Sequence, residues 1–179
     1  MKKYEFTGET KQINTISGTV TLHRIKASAT FGSVKSGDIG GWIESRENLS
    51  LDGEAWVSDN ARVSGEAQVH DDARVYDDAW VHGDAWVSGD AWVSGDAQVY
   101  SSKHILLVGP IGSRNDHTTF FRNRNRGISV SCGCFLGEID KFIEKVIETH
   151  GENKYVSVYR AAAELAKLQI DLSEMEEEK

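Results

Sequence analysis

Residues 51–100 repeat every six positions without a gap. Each unit opens on an aliphatic residue: Leu51, then Val57, Val63, Val69, Val75, Val81, Val87, Val93 and Val99. Alanine stands two places before each valine, from Ala55 to Ala97. So short and fixed a period dictates architecture before any local propensity is weighed. Six is even, so on a strand the valine and the alanine before it face one way, and the residues flanking the valine face the other. A helix would scatter the same period around its surface. The third residue of each unit is Gly or Asp: Gly53, Asp59, Gly65, Asp71, Asp77, Gly83, Gly89 and Gly95. These types tolerate the positive φ that a sharp corner needs. Each unit therefore reads as a short strand and a corner. Successive corners close a prism with valine and alanine inside.

This pattern resembles the hexapeptide-repeat family, whose fold is a left-handed parallel β-helix with about three units per coil. The fold expected is mainly β: about three coils over 47–100, an N-terminal β cap over 1–46, a small C-terminal α+β module over 101–170, and a fraying acidic tail over 171–179. With three units per coil, residues eighteen apart stack. The position before each valine then forms three outward columns: Trp56, Arg74, Trp92; Arg62, Trp80, Gln98; and Gln68, Trp86. The position after it places Ser64, His82 and Tyr100 in one column and His70 and Ser88 in another. Four of the five tryptophans thus point away from the core. Contiguous outward aromatic surface marks an interface, and the family is commonly trimeric, so a homotrimer contact is the plain expectation. A flat-ring ligand on Trp80 or Trp86 is the functional one. Arg74 between two tryptophans suggests a cation–π stack.

The net charge of −8 is unevenly placed. Residues 1–46 carry +3, residues 47–100 carry −10, residues 101–170 carry +3 and the last nine carry −4. The solenoid acids sit mostly at corners, where they keep sheet edges soluble. That rim argues against wrapping a nucleic-acid duplex, which needs a basic footprint. The flanking segments are basic enough for a small anion. No long apolar run or signal-peptide pattern appears, so a cytoplasmic protein with no membrane partner is expected. Cys132 and Cys134, the only cysteines, have no second pair with which to make a zinc site. No cofactor is implied.

Before the repeat, Tyr4–Phe6, Thr19–Ile25 and Ala29–Val34 read as β pieces of a cap, which a solenoid end requires. After it, residues 104–108 form a short apolar strand. Gly109–Asp116 is a turn-rich loop in which Gly112, Ser113, Arg114 and Asn115 offer backbone donors and a guanidinium suited to phosphate, with the Thr118 and Thr119 hydroxyls nearby. It lacks the Gly-Lys-Ser/Thr ending of a P-loop. Two hairpin strands, 118–122 and 127–131, flank a basic loop read as a solvated tip. Cys132–Gly133 then leads to a helix over 138–149, whose N-terminus could hold an anion with free N–H groups. A second helix over 154–170 follows, with Tyr155, Val158, Tyr159, Ala162, Leu165, Ala166 and Leu168 expected inward.

Resemblance to the hexapeptide acyltransferases would imply a histidine general base at a subunit boundary, with His70 and His82 as candidates. The repeat lacks the looped-out excursion such enzymes use to cover their acceptor. The three-histidine zinc set of a γ-type carbonic anhydrase is also missing. Over nearly the full length, KYEFTGET, GDIGGWIE, GPIGSRNDHTTF, SVSCGCFLGEIDKF and THGENKY resemble phage and prophage hexapeptide proteins of Firmicutes, usually labelled transferase or polymer-forming protein. Small oligomeric phage proteins without a catalytic set include sponges that hold nucleotide immune signals. By that analogy the expectation is a trimer in the infected host's cytoplasm that sequesters a small phosphorylated ligand. Its site would use Gly112, Ser113, Arg114, Asn115, Thr118, Thr119, Cys132 and Gly133, with Trp80 and Trp86 as stacking faces. The alternatives are the acyltransferase and a purely structural trimer.

Overall fold

A computed structural model describes residues 2–15 and 18–173. Each repeat folds as a two-residue strand and a turn: β4 (Trp56–Val57), β5 (Arg62–Val63), β6 (Gln68–Val69), β7 (Arg74–Val75), β8 (Trp80–Val81), β9 (Trp86–Val87), β10 (Trp92–Val93) and β11 (Gln98–Val99). The strands stack in parallel with the register that the period requires. Trp56 pairs with Arg74 and Arg74 with Trp92; Arg62 pairs with Trp80 and Trp80 with Gln98; Gln68 pairs with Trp86. The result is a parallel β-solenoid of about three turns. Its valines and alanines are buried. Each fully buried valine contributes about 1.5–3 kcal/mol. At the corners Asp59, Asp71 and Asp77 take φ of 54°, 55° and 57°, beside glycines such as Gly89 at 65°.

The first coil is closed by β1 (Tyr4–Thr15), β2 (Gly18–Ala27) and β3 (Ile39–Ile43). β1 and β2 form a long antiparallel hairpin, and β3 passes the sheet on to β5. The hairpin outruns the short pieces expected, because Thr7–Thr15 alternates weakly and carries few apolar residues. Ala29–Val34 is not a strand but a turn closed by a single Phe31–Val34 bridge. The aromatic edge of Phe31 packs on Trp56, with ring centres 5.6 Å apart. Trp56 therefore points out of the prism yet is only 5% exposed. The Lys3 ammonium donates to the Ser50 and Asp52 carbonyls of the first coil.

At the other end β12 (Ile105–Ile111), β13 (Asp116–Arg122), β14 (Ile128–Cys132) and β15 (Phe135–Glu138) make an antiparallel sheet in chain order. α1 (Ile139–His150) and α2 (Lys154–Gln169) cover one face of it. Its other face meets the solenoid through Phe121, Ile105 and Leu107. The turn after β13 keeps Arg124, Asn125 and Arg126 exposed, as its arginines suggest, but its base is built into the fold. Arg122 is 4% exposed, Asn123 bridges to Ala97, and the Arg124 N–H donates to the Asp96 carbonyl. This hairpin closes the last coil, whose edge would otherwise be open.

α2 is also rotated from its expected phase. Val156, Tyr159, Ala162, Ala163, Ala166 and Ile170 face the sheet, while Val158, Leu165 and Leu168 face outward. Small alanines let α2 lie close to the sheet and to α1, and that close contact outweighs burial of the larger leucines. Of the expected tail, Asp171–Ser173 is held: the Asp171 N–H donates to the Lys103 carbonyl, and the Ser173 carbonyl accepts from Arg122. Residues 174–179 lie outside the described residues. Among the described residues no helix is long and apolar enough to cross a membrane.

Candidate functional site

A cavity of about 620 Å³ opens between the β12–β13 turn, the β14–β15 turn and the two helices. Ser113, Arg114 and Asp116 come from the first turn; Cys132, Gly133 and Cys134 come from the second. Phe135, Phe142, Val146 and Tyr159 supply apolar walls, and Lys145, Thr149 and His150 line the last turns of α1. The size is that of a site for a small organic ligand.

Local chemistry sets each wall. Cys132 pairs with Phe135 across a two-residue turn, Gly133–Cys134. Gly133 sits at φ 58°, as tight hairpin turns demand at this place. A Cβ on it would stand 3.3 Å from the Arg114 guanidinium, so the glycine makes room for that side chain. Gly112, at φ 74°, lies directly under the Tyr159 hydroxyl, where a Cβ would collide. A chain of weak hydrogen bonds runs across the floor. Thr118 Oγ1 donates to Cys132 Sγ at 3.2 Å, and the Cys132 thiol donates to Tyr159 Oη at 3.9 Å. Burial first, then the neighbouring Cys132, push the Tyr159 phenol up to about 12. Tyr159 therefore stays a protonated hydrogen-bond donor at neutral pH.

Arg114 is exposed, and among the described residues no hydrogen bond or ion pair uses its guanidinium. Lys145 at the rim is paired with Glu148 at 2.7 Å. Thr149 spends its hydroxyl proton on the Lys145 carbonyl. Asp116 is the carboxylate of the lining, a ready acceptor for ligand N–H groups. The cavity thus offers a free guanidinium, a phenolic donor, an acceptor and aromatic walls.

Of the residues expected at the site, Ser113, Arg114, Cys132 and Gly133 meet at this cavity. Gly112 supports it from beneath Tyr159. Thr118 and Thr119 do not present hydroxyls to it. Both are buried, Thr118 bonded to Cys132 and Thr119 Oγ1 accepting the Trp92 N–H at 3.0 Å. They belong to the central strand β13, where alternation turns one to each covered face of the sheet. Asn115 takes φ 52° in the turn and is not among the residues that line the cavity. Gly133 does not open α1 as expected: β15 separates it from that end, and the cavity sits beside the C-terminal half of α1.

Trp80 and Trp86 lie on the solenoid, away from this lining. Trp86, 48% exposed, stacks on His70 with ring centres 4.3 Å apart and borders a shallower cavity with Ile105 and Leu107. Trp80 carries the Arg62 guanidinium 4.7 Å from its ring centre. The stack expected of Arg74 is replaced by an ion pair with Glu54 at 3.5 Å. The tryptophan beside the main cavity is Trp92, which lines an adjoining space of about 200 Å³ with His117 and Thr119; Asp116 and Gly133 border both. His82 lies against Trp80 and Tyr100. Burial, then His104, Arg62 and Arg122, lower its pKa to about 4. So weak a base suits general-base chemistry at neutral pH poorly. His70 Nε2 shares a 2.8 Å hydrogen bond with Gln68. Among the described residues no three His, Cys, Asp or Glu side chains cluster to hold a metal.

Sequence reasoning overlooked Tyr159, Phe142 and Lys145, which read as ordinary helix positions. One signal was available: the face of α1 that begins with Phe142 and Val146 ends with Thr149 and His150, a shift from apolar to polar that a wholly packed face does not need.

The family described as YdcK beta solenoid repeat matches residues 55–71 and 67–83, within the stacked coils and apart from the cavity. No curated protein matches the chain.

Proposed function

We propose that this protein is a non-enzymatic binding protein that sequesters a small phosphorylated ligand, of nucleotide type, in the cavity between the C-terminal sheet turns and helices. The observation that carries this reading is Arg114: an unpaired guanidinium held over Gly133 at an aromatic-walled cavity. A guanidinium forks onto a phosphate. The Tyr159 hydroxyl adds a donor, Asp116 accepts from a base edge, and Phe135 offers a ring face. In the phage-type setting that the sequence resembles, the ligand is a nucleotide immune signal and the protein a sponge in the host cytoplasm. The assembly proposed is a homotrimer, for which the half-exposed Trp86 and Trp92 provide apolar contact surface.

The test is to purify the protein from phage-challenged, defence-active bacteria, denature it, and identify what is released by absorbance and mass spectrometry. One nucleotide per protomer is expected. Arg114→Ala is expected to weaken rebinding of that nucleotide by roughly tenfold or more, the loss of a charge-assisted pair. An empty protein that binds no nucleotide, or an Arg114→Ala variant with full affinity, overturns the assignment.

A further inference from the structure

We propose that the solenoid face built on β3, β5 and β8 is a second, separate site that binds a multivalent oxyanion of the phosphate class. The register stacks Trp42, Arg62 and Trp80 in one column. The Lys11 ammonium stands 4.2 Å from the centre of the Trp42 ring and the Arg24 guanidinium carbon 4.9 Å from it. Arg62 lies over Trp80. Arg124, whose backbone docks on Asp96 of the last coil, adds its charge to the same field.

These cations are positioned but not neutralised. Among the described residues, Arg24 donates only to the Asp59 carbonyl. Among the described residues, Lys11, Arg62 and Arg124 enter no ion pair. Their mutual repulsion is felt: burial, then Arg62 and Arg24, bring the Lys11 ammonium down to about 8, and burial with Arg124 lowers Arg62. Glu9 and Asp78 pull the other way on Lys11, and Asp78 also on Arg62, without closing a pair. An anion relieves this repulsion directly.

The chemistry of the occupant follows from what the indoles have left to give. Trp42 is 7% exposed and already carries two cations; Trp80 carries Arg62 and packs on His82. Little ring surface remains for a nucleobase, so charge is what the face recognises. Neighbouring coils lie about 4.8 Å apart, and cations spread over a hairpin and successive coils are bridged by several linked oxyanions better than by one. The site shares no residue with the Arg114 cavity, and its failure and the failure of that site are separable.

The test is titration of the full chain with inorganic tripolyphosphate, followed by indole fluorescence, at low and high ionic strength. Saturable binding that salt weakens is expected. Arg62→Gln and Lys11→Gln are expected to weaken it roughly tenfold each, while Arg62→Lys retains it. The absence of saturable binding, or equal affinity in Arg62→Gln and the unaltered chain, overturns the proposal. So does self-association, seen by light scattering, that is lost in Arg62→Gln and untouched by tripolyphosphate, which would assign the face to a second copy of the chain.

Discussion

The Asp71 carboxylate accepts the backbone N–H of Gly89, one coil further on, at 2.9 Å. Asp77 does the same for Gly95 at 3.1 Å. Both aspartates also sit at positive φ. An aspartate corner therefore performs two tasks, taking the left-handed turn and holding the corner stacked on it. We predict that Asp71→Ala costs about 1–2 kcal/mol, since it keeps the strained backbone and loses the bond. Asp71→Gly should cost about half as much, since glycine relieves the strain. Thermal melts of the two variants, ranked in that order, check the account.

Stability should fall with acid before the carboxylates titrate. Burial and positive neighbours hold His82 and His104 at about 4, against 6.5 for a free imidazole. His104 Nδ1 must also stay unprotonated to accept the Tyr100 N–H. Below pH 6.5 the unfolded chain takes up protons that the native chain refuses. Stability is thus full above that value and declines as pH drops toward 4, with a limiting slope of about 1.4 kcal/mol per pH unit for each histidine. Replacing His82 by glutamine and His104 by asparagine, whose Oδ1 stands where Nδ1 accepts the Tyr100 N–H, should flatten the melting temperature across this window.

The contact between Gly112 and Tyr159 ties the β12–β13 turn to α2. Gly112→Ala places a methyl where the phenol lies, on a backbone at φ 74°. A loss of about 1–3 kcal/mol is expected, together with weaker ligand binding as the turn and Arg114 shift. Tyr159→Phe removes only the hydroxyl; it should recover part of the stability of Gly112→Ala but none of the binding. A double-mutant cycle measures both.

The rotated phase of α2 makes opposite predictions for near neighbours. Leu168, 86% exposed, should accept Gln within about 0.5 kcal/mol. Ala166 is fully buried, and Ala166→Gln should cost more than about 2 kcal/mol. Chemical denaturation of the Leu168 variant distinguishes this packing from the leucine-inward alternative, and the Ala166 variant, buried in both, sets the scale of an inward substitution.

The solenoid was legible because its rule is local and repeated. Val57, Val63 and Val69 face inward because each sits at the same point of a six-residue unit, and the corner residues advertise their positive φ. The pairing of Arg62 with Trp80 follows from the period taken with the three units per coil that the family resemblance implies. At the candidate site Arg114 was legible as turn chemistry; Cys132 and Gly133 were legible as site residues, but as the opening of a helix rather than as the hairpin turn they form. Tyr159 and Lys145 were not, because nothing in an amphipathic helix says which of its flanks borders a cavity.

By itself the sequence determined the coil, its register, the aspartate and glycine corners and the existence of two helices, since a fixed period and short-range sterics suffice for all of these. Tertiary structure decided the rest. It buried Trp56 under Phe31, turned Leu165 and Leu168 outward, sank Arg122 into the end of the solenoid, and set Lys11 and Arg24 against Trp42. Those contacts join segments that carry no period, and the choice among them is made by close packing and desolvation across the whole chain, which no local pattern encodes.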